Sequence, residues 1–254
     1  MHIRNPNSFI IGKQLIELES CSSTNTEAVK MAQNGDAQHG TVVLTNCQTS
    51  GKGQRGNVWE AASGQNLTFS IVLHPQSLHI SDQFFLSMLT SLSIYDFLSE
   101  YLLEEDLKIK WPNDIYFEDT KMGGILIESI AQGEFVKTSV VGIGVNINQK
   151  EFVHPQAKSL AMICGQEFDL REMLTLFLEF FTRRYRQLEN LSAKSLHQEY
   201  YSKLYWYDEI HTFQDLQEQY FMGRIKGVNE LGCLIVEREN DTKEFDIKEI
   251  KFIK

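Results

Sequence analysis

The sequence predicts an α+β fold in which helices pack on a mixed β-sheet, followed by a small C-terminal β-barrel. Over the first 206 residues, segments with helical spacing intermix with segments rich in β-branched residues, which favours a mixed sheet covered by helices. After Tyr207 the helical spacing gives way to short alternating segments, which are typical of a small barrel. We therefore predict one domain at residues 1–206 and a second at residues 207–254. The 254 residues, 42% of them hydrophobic and 23% charged, suffice for an ordinary globular core.

Four helices are predicted from apolar spacing and from start and stop signals. Thr24 and Glu27 have the spacing of a capping box, and Gly35 supplies the stop signal of the helix that they begin. Apolar residues recur at helical intervals in three further stretches, which are residues 81–103, 169–188 and 195–204.

Strands are predicted between and after these helices. The β-branched segments of the larger domain are residues 41–47, 67–73, 107–111, 123–129 and 136–148. The alternating segments of the barrel are residues 209–213, 219–228, 232–238 and 243–252. Turn-forming residues separate them at 229–232 and 239–241.

Charge and composition exclude several classes of protein. The net charge of −10 disfavours a protein that binds nucleic acid over its whole surface. No apolar run reaches the ~18 residues of a membrane span, and the N-terminus lacks the apolar centre of a signal peptide. The four cysteines have no paired spacing, and the histidines form no zinc motif. We expect a cytoplasmic protein with reduced cysteines, no DNA or membrane partner and no protein-built metal site.

A glycine-rich loop, residues 51–56, matches the pattern G-x-G-x-x-G. A dinucleotide-binding fold would need a helix directly after the loop, but residues 57–66 are too few and too poor in helix formers. With Val58 the loop also matches the glycine-rich pattern of protein kinases, but the other kinase motifs are absent from the sequence. The three glycines instead allow backbone N–H groups to face an anion, and Lys52 and Arg55 add positive charge. Trp59 would anchor or cover this loop. A flexible surface hairpin is the alternative.

Two further segments carry residues suited to a binding site. In the first, Lys110-Trp111-Pro112-Asn113-Asp114 is followed by Lys121 beside two glycines, so that a lysine can point into a cleft. The alternative is an ordinary polar hairpin with an exposed Lys121. In the second, Gly142 and Gly144 lie inside a predicted strand, where glycine costs stability. They would let the backbone approach a ligand, with Asn146 turned toward it, or they would form a β-bulge.

Together these segments resemble the biotin–protein ligases, also called biotin–[acetyl-CoA carboxylase] ligases. Five segments carry the resemblance in order along the chain: Ser23-Thr24-Asn25, GKGQRGNVW at 51–59, KWPND at 110–114, KMGGILIE at 121–128 and GIGVN at 142–146. The resemblance implies a class II synthetase-like fold of the biotin/lipoate ligase type, with an SH3-like C-terminal barrel. Because 22 residues precede Ser23, we expect a monofunctional ligase without the DNA-binding domain of the repressor-type members.

The resemblance also implies an activity in two steps. The larger domain would bind biotin and ATP, with Mg²⁺ carried on ATP, and would form biotinyl-5′-AMP. Biotin would then pass to a lysine of the biotin carboxyl carrier protein of acetyl-CoA carboxylase or a related carboxylase. The chain would act as a monomer or a homodimer.

Site residues follow from the same resemblance. The biotin-binding set is Ser23, Thr24, Asn25, Gln48, Lys52, Gly53, Gln54, Lys121 and Gly124. The set for ATP or the adenylate is Lys52, Arg55, Trp59, Lys110, Asn113, Lys121 and Asn146. The catalytic set is Lys121, Arg55, Lys110 and Asp114. Relative to the arginine-rich loop common in the family, Gln54 and Asn57 replace arginines, and loop cations fall from four to two.

Two rival functions remain at this stage. Lipoate–protein ligases and octanoyltransferases share the architecture, and fold does not decide between them. The glycine loop and the KWPND segment favour biotin. A non-catalytic module that binds biotin without turning over ATP is the rival from another class.

Overall fold

A computed structural model describes residues 11–188 and 193–254. The first ten residues of the predicted larger domain lie outside the described residues. Seven strands of this domain form one sheet: β1 (Leu15–Cys21), β2 (Val42–Gln48), β3 (Leu67–Leu73), β4 (Leu107–Lys110), β5 (Asp114–Phe117), β6 (Thr120–Gln132) and β7 (Phe135–Val145). Their order is β1-β2-β3-β7-β6-β5-β4. Only β1 and β2 pair in parallel, so the predicted mixed sheet is confirmed.

Helices cover both faces of this sheet. They are α1 (Thr24–Asn34), α2 (Phe84–Ser99), α3 (Leu160–Cys164), α4 (Leu170–Leu188) and α5 (Ala193–Ser202). Successive strand residues point to opposite faces, and the core divides accordingly. On one face Val72 and Val140 pack with Ala28 of α1. On the other, Phe69 and Ile71 join the larger core formed with α2, α4 and α5.

A second, antiparallel sheet follows α5. Its strands are β8 (Ile210–Asp215), β9 (Tyr220–Val228), β10 (Leu234–Glu237), β11 (Thr242–Phe245) and β12 (Ile250–Ile253), in the order β11-β10-β9-β8-β12. This arrangement is consistent with the predicted SH3-like barrel. Hydrogen bonds join this sheet to the larger domain. In one of them the Trp111 indole N–H donates to the Gly232 carbonyl at 2.8 Å. The boundary between residues 206 and 207 stays a prediction.

The four predicted helices are confirmed, with two corrections. The helix predicted to extend to about residue 103 ends at Ser99. The capping box is wrong, because Ser23 is the N-cap and makes no side-chain capping bond, while Thr24 already belongs to α1. The Thr24 hydroxyl is engaged elsewhere, by Gln48. The predicted stop at Gly35 is confirmed by its left-handed φ of 82°.

Three elements escaped prediction, and one predicted strand is divided. β1, β5 and the short α3 were not foreseen. The segment 243–252 contains two strands, β11 and β12, because Asp246 to Glu249 form a turn between them.

Candidate active site

One cavity of about 750 Å³ brings the predicted segments together. Its walls come from the N-terminus of α1, the glycine-rich loop, the β5–β6 hairpin, β7 and the C-terminal sheet. Fourteen of the fifteen predicted site residues line it. These are Ser23, Thr24, Asn25, Gln48, Lys52, Gly53, Gln54, Arg55, Trp59, Lys110, Asn113, Asp114, Lys121 and Gly124.

Asn146 is the predicted site residue that does not line the cavity. Its side chain is 3% exposed, and its Nδ2 donates to the backbone carbonyls of Lys121 and Lys158 at 3.4 and 3.3 Å. The expectation that Asn146 turns toward a ligand is therefore wrong for this conformation. Its Oδ1 is nevertheless buried without a hydrogen-bond partner. The Asn146 side chain thus bonds the backbone of Lys121 rather than facing the cavity.

A polar floor forms where α1 begins. The Thr24 backbone N–H donates to Gln48 Oε1 at 2.8 Å, and the Thr24 hydroxyl lies 3.2 Å from the same oxygen. The Ser70 hydroxyl lies 2.8 Å from the Thr24 hydroxyl and 2.6 Å from Asn25 Oδ1. Thr24, Asn25 and Ser70 are each at least nine-tenths buried. The floor is therefore a set of largely buried polar groups joined by hydrogen bonds.

The two glycines of β7 make room for side chains of the site. A Cβ atom on Gly142 would collide with the Asn25 amide, and one on Gly144 would collide with the Trp59 indole. The pairing of β7 with β3 and β6 is continuous at both positions, so the β-bulge alternative is wrong. The side chains of Asn25 and Trp59 occupy the space beside these glycines, and the approach of a ligand to the β7 backbone stays a prediction.

The glycine-rich loop is folded back on itself and lines the cavity. The Trp59 N–H donates to the Gly51 carbonyl at 3.0 Å, and the Gly53 N–H donates to the Asn57 carbonyl at 2.7 Å. Arg55 has a left-handed φ of 49°. No helix occurs between residues 57 and 66, which confirms the exclusion of a dinucleotide-binding unit.

The C-terminal sheet holds this loop from the other side. Arg55 Nη2 lies 3.2 Å from both carboxylate oxygens of Asp246, and Lys248 Nζ donates to the Arg55 carbonyl at 2.8 Å. The alternative of a free surface hairpin does not fit these contacts. The loop is clamped between the two domains.

Lys121 and Asp114 form an ion pair in the wall of the cavity, with 2.6 Å between Nζ and Oδ1. Both side chains are partly exposed, at 30% and 22%. Asn113 fixes the adjoining strands, because its backbone carbonyl and its Nδ2 both bond to Ile125 of β6. The alternative of an exposed, unengaged Lys121 is therefore wrong.

Lys110 is a largely desolvated cation among aromatic rings. Its Nζ lies 4.7 Å from the centre of the Tyr116 ring and 5.1 Å from that of Phe252, which is cation–π geometry. Burial lowers the pKa of Lys110, and Asp114 and Asp119 partly oppose that shift. Burial likewise raises the pKa of Tyr116, to about 12. Tyr116 therefore stays a neutral hydroxyl that accepts from Lys110 Nζ at 3.3 Å.

The lining of the cavity is strongly cationic, although the chain as a whole is acidic. Among its described residues, Asp114 is the single acid and six are cations: Lys52, Arg55, Lys110, Lys121, Lys248 and Lys251. This concentration of charge suits an anion as large as a polyphosphate. The sequence did not point to Lys248 and Lys251, which come from the C-terminal sheet together with Ile247, Ile250 and Phe252.

In residues 11–188 and 193–254, no group of three or more His, Cys, Asp or Glu side chains is arranged to hold a metal ion. No helix in the same ranges is long and apolar enough to cross a membrane.

Comparison with known proteins decides the family. The biotin/lipoate A/B protein ligase family matches residues 17–146, just over half of the chain. The chain belongs to this family. The match contains the polar floor, the glycine-rich loop, the Asp114–Lys121 pair and both glycines of β7. The family predicted from the sequence is confirmed.

Relatives support the ligase class within the family. The bifunctional ligase/repressor BirA of Bacillus subtilis is 33% identical over 184 residues, which cover 70% of this chain and 55% of that protein. A biotin–[acetyl-CoA-carboxylase] ligase of Paracoccus denitrificans is 35% identical over 181 residues, which cover 68% of this chain and 73% of that protein. The chain thus spans between about half and three-quarters of these two relatives.

Solved structures of the same kind match the fold. The biotin protein ligase from Aquifex aeolicus in complex with biotin and ATP has a TM-score of 0.76 and 28% identity, and the alignment covers 94% of this chain and 98% of that one. The predicted fold class is therefore confirmed across both sheets. The roles of individual site residues stay predictions.

Proposed function

We propose that this member of the biotin/lipoate ligase family is an ATP-dependent biotin–protein ligase. The observation that carries the proposal is the joining, in one cavity, of a buried polar floor and six cations. Biotin pairs a polar cyclic urea with a carboxylate on an aliphatic arm, and ATP brings the polyphosphate. The polar floor would hold the urea ring, and the cations would hold the carboxylate and the phosphates.

The first step would join the biotin carboxylate to the α-phosphorus of ATP. A carboxylate oxygen attacks the α-phosphorus, and the bond to the β-phosphate breaks, so that biotinyl-5′-AMP and pyrophosphate form. Like-charge repulsion opposes this approach, and preorganised cations counter it. Lys121 would receive the carboxylate and the α-phosphate, while Lys52, Arg55 and Lys110 would hold the phosphates. Trp59, packed on Gly144, offers an aromatic face to the nucleotide base.

The second step would transfer biotin to a protein. The neutral amine of an acceptor lysine attacks the anhydride carbonyl carbon, and AMP leaves with the bonding electrons. Asp114, the single acid in the described lining, would position the acceptor lysine. The acceptor we propose is the biotin carboxyl carrier domain of acetyl-CoA carboxylase or a related carboxylase.

Mg²⁺ fits this site as an ion that arrives on the phosphates of ATP. Mg²⁺ prefers several oxygen ligands, and the described lining offers one carboxylate. Asp114 would add that oxygen to those of the phosphates, and the ion would neutralise part of their charge. The remaining proposals are a monomer or homodimer in the cytoplasm and no DNA binding, the last because the net charge is −10.

Lipoate ligation is the second candidate, and the floor argues against it. A dithiolane ring carries no N–H or carbonyl group, so it would offer no partner to the Gln48 Nε2 protons or to the remaining lone pairs of Thr24 Oγ1. Each unpaired buried polar group costs about 1–3 kcal/mol.

An ATP–pyrophosphate exchange assay tests the proposal. Purified protein should exchange labelled pyrophosphate into ATP with biotin, and not with lipoate, octanoate or no acid. Addition of a carrier domain should then give a biotinylated acceptor and AMP. Exchange that depends on lipoate instead would reassign the enzyme, and binding of biotin without exchange would favour a non-catalytic module.

A further inference from the structure

A run of hydrogen bonds extends from the surface to the floor of the cavity. It begins at the exposed Glu128 of β6, whose Oε2 accepts from Asn25 Nδ2 at 2.9 Å. The second N–H of the same amide donates to the Leu126 carbonyl at 3.1 Å. Asn25 Oδ1 then lies 2.6 Å from the Ser70 hydroxyl, which lies 2.8 Å from the Thr24 hydroxyl. Glu128 has no role assigned above, and Ser70 belongs to the polar floor but to none of the predicted sets of site residues.

The charge of Glu128 fixes the orientation of the Asn25 amide. A carboxylate and a backbone carbonyl can only accept hydrogen bonds. If the amide were reversed, Oδ1 would face Glu128 and the Leu126 carbonyl, and no proton would lie between the oxygens. Oδ1 must therefore point toward Ser70, where it can only accept.

This orientation determines what Thr24 offers to the cavity. The single Thr24 hydroxyl proton has two protein acceptors, Gln48 Oε1 at 3.2 Å and Ser70 Oγ at 2.8 Å. Ser70 Oγ is available to accept because its own proton can satisfy Asn25 Oδ1. With either acceptor, the Thr24 hydroxyl proton is used in a hydrogen bond within the protein. Thr24 Oγ1 then presents only lone pairs to a ligand.

The same contacts determine what Gln48 offers. Its Oε1 is occupied by the backbone N–H of Thr24 at 2.8 Å. The Nε2 group, with its two protons, is left for other partners. The floor therefore presents an acceptor from Thr24 beside donors from Gln48.

We propose that Glu128 and Ser70 are positioning residues that set this acceptor–donor pattern and thereby select a cyclic urea over an apolar ring. A cyclic urea has N–H groups that suit Thr24 and a carbonyl that suits Gln48. This inference rests on the proposed biotin-dependent function and names the residues that make its ring pocket selective.

The test measures KM separately for biotin and for ATP in the exchange assay. Ser70→Ala and Glu128→Ala should each raise KM for biotin about five- to tenfold, the equivalent of one neutral hydrogen bond, with KM for ATP within about twofold of wild type. The KM for dethiobiotin, which keeps the urea ring and lacks the sulphur, should rise in parallel with the KM for biotin. Glu128→Gln should restore most of the affinity, because its Oε1 can still accept from Asn25.

Matched controls separate this role from general stability. Ser139→Ala removes another fully buried serine hydroxyl, which bonds Ser129 on the neighbouring strand, and it should leave both KM values unchanged. Glu128 is exposed, so its variants keep the test valid should Ser70→Ala fail to fold. An unchanged KM for biotin in Glu128→Ala, or an equal rise in KM for ATP, overturns the inference while the ligase assignment stands. No biotin-dependent exchange by the wild type overturns both.

Discussion

The Lys121 ammonium lies 2.6 Å from the Asp114 carboxylate, and both groups face the same cavity. The ion pair holds one end of a flexible side chain and uses one of its three N–H donors. Two donors are left for an anionic substrate. The pair therefore provides a preorganised cation at the place where the carboxylate of one substrate would meet the phosphate of the other.

Lys121→Ala should slow pyrophosphate exchange by about 10²–10³, the usual cost of removing one preorganised donor from a developing charge. The variant also leaves Asp114 as an unpaired negative charge beside the phosphates. The matched control is Lys150→Ala, which removes a 67% exposed lysine that pairs with Glu167, and its rate should equal that of wild type. Exchange by Lys121→Ala within about threefold of wild type would transfer the principal role to Lys110 or Arg55.

The two glycines of β7 should separate the two substrates. In Gly142→Ala the new methyl group displaces Asn25, so KM for biotin should rise about tenfold or more, because at least one buried hydrogen bond is lost. In Gly144→Ala it displaces the Trp59 indole, and KM for ATP should rise instead. Both constants are measured in the exchange assay. The same pattern of KM changes in both variants would contradict the division of the cavity into a ring end and a nucleotide end.

Asp246→Ala should loosen the glycine-rich loop without unfolding the protein. The Arg55–Asp246 pair is exposed at 44% and 58%, and such pairs contribute up to about 1 kcal/mol, so the melting temperature should change little. Limited trypsin cleavage after Arg55 should become several-fold faster, and biotin with ATP should restore protection. Asp241→Ala is the control, because it breaks the Arg238 pair in the same sheet. Equal cleavage rates in the two variants would mean that the pair does not hold the loop.

Lys110→Met should stabilise the protein near neutral pH, and the gain should shrink as pH rises. The folded pKa of Lys110 lies below its ordinary value of 10.5, chiefly because of burial. In the window between these two pKa values the unfolded chain binds more protons, so the free energy of unfolding of the wild type rises with pH. The methionine side chain does not titrate, so the variant lacks this rise and its advantage over the wild type shrinks. Urea unfolding of both proteins from pH 7 to 10.5 measures the difference, and a constant difference would refute the burial of a charged Lys110.

The sequence predicted most of the residues that meet in the cavity, because they lie in short segments whose glycines and cations are unusual. Gly51, Gly53 and Lys52 follow one another directly, and Lys121 stands beside Gly123 and Gly124. β1 was missed because Glu17 and Glu19 interrupt an apolar pattern in a strand at the edge of the sheet.

Contacts between distant segments account for the other errors. The sequence shows that Gly142 needs space, but not that Asn25, more than a hundred residues away, fills it. Lys248 lies in the turn between β11 and β12, and Lys251 lies in β12 between two apolar residues, so nothing in the local sequence marks either lysine as part of the cavity wall. Thr24 matched a capping box by spacing, but Gln48 supplies a stronger competing partner for its hydroxyl.

The clamp of the glycine-rich loop by the C-terminal sheet also bears on how such chains can diverge. Arg55 and Asp246 are separated by 191 positions yet share one ion pair, and Lys248 bonds the backbone of Arg55. A mutation that reverses the charge at one of the two positions leaves like charges facing each other until the partner changes as well. Positions 55 and 246 should therefore covary among descendants of this gene. A C-terminal sheet exchanged between distant relatives should hold the loop best where its residue 246 is opposite in charge to the residue at position 55 of the recipient.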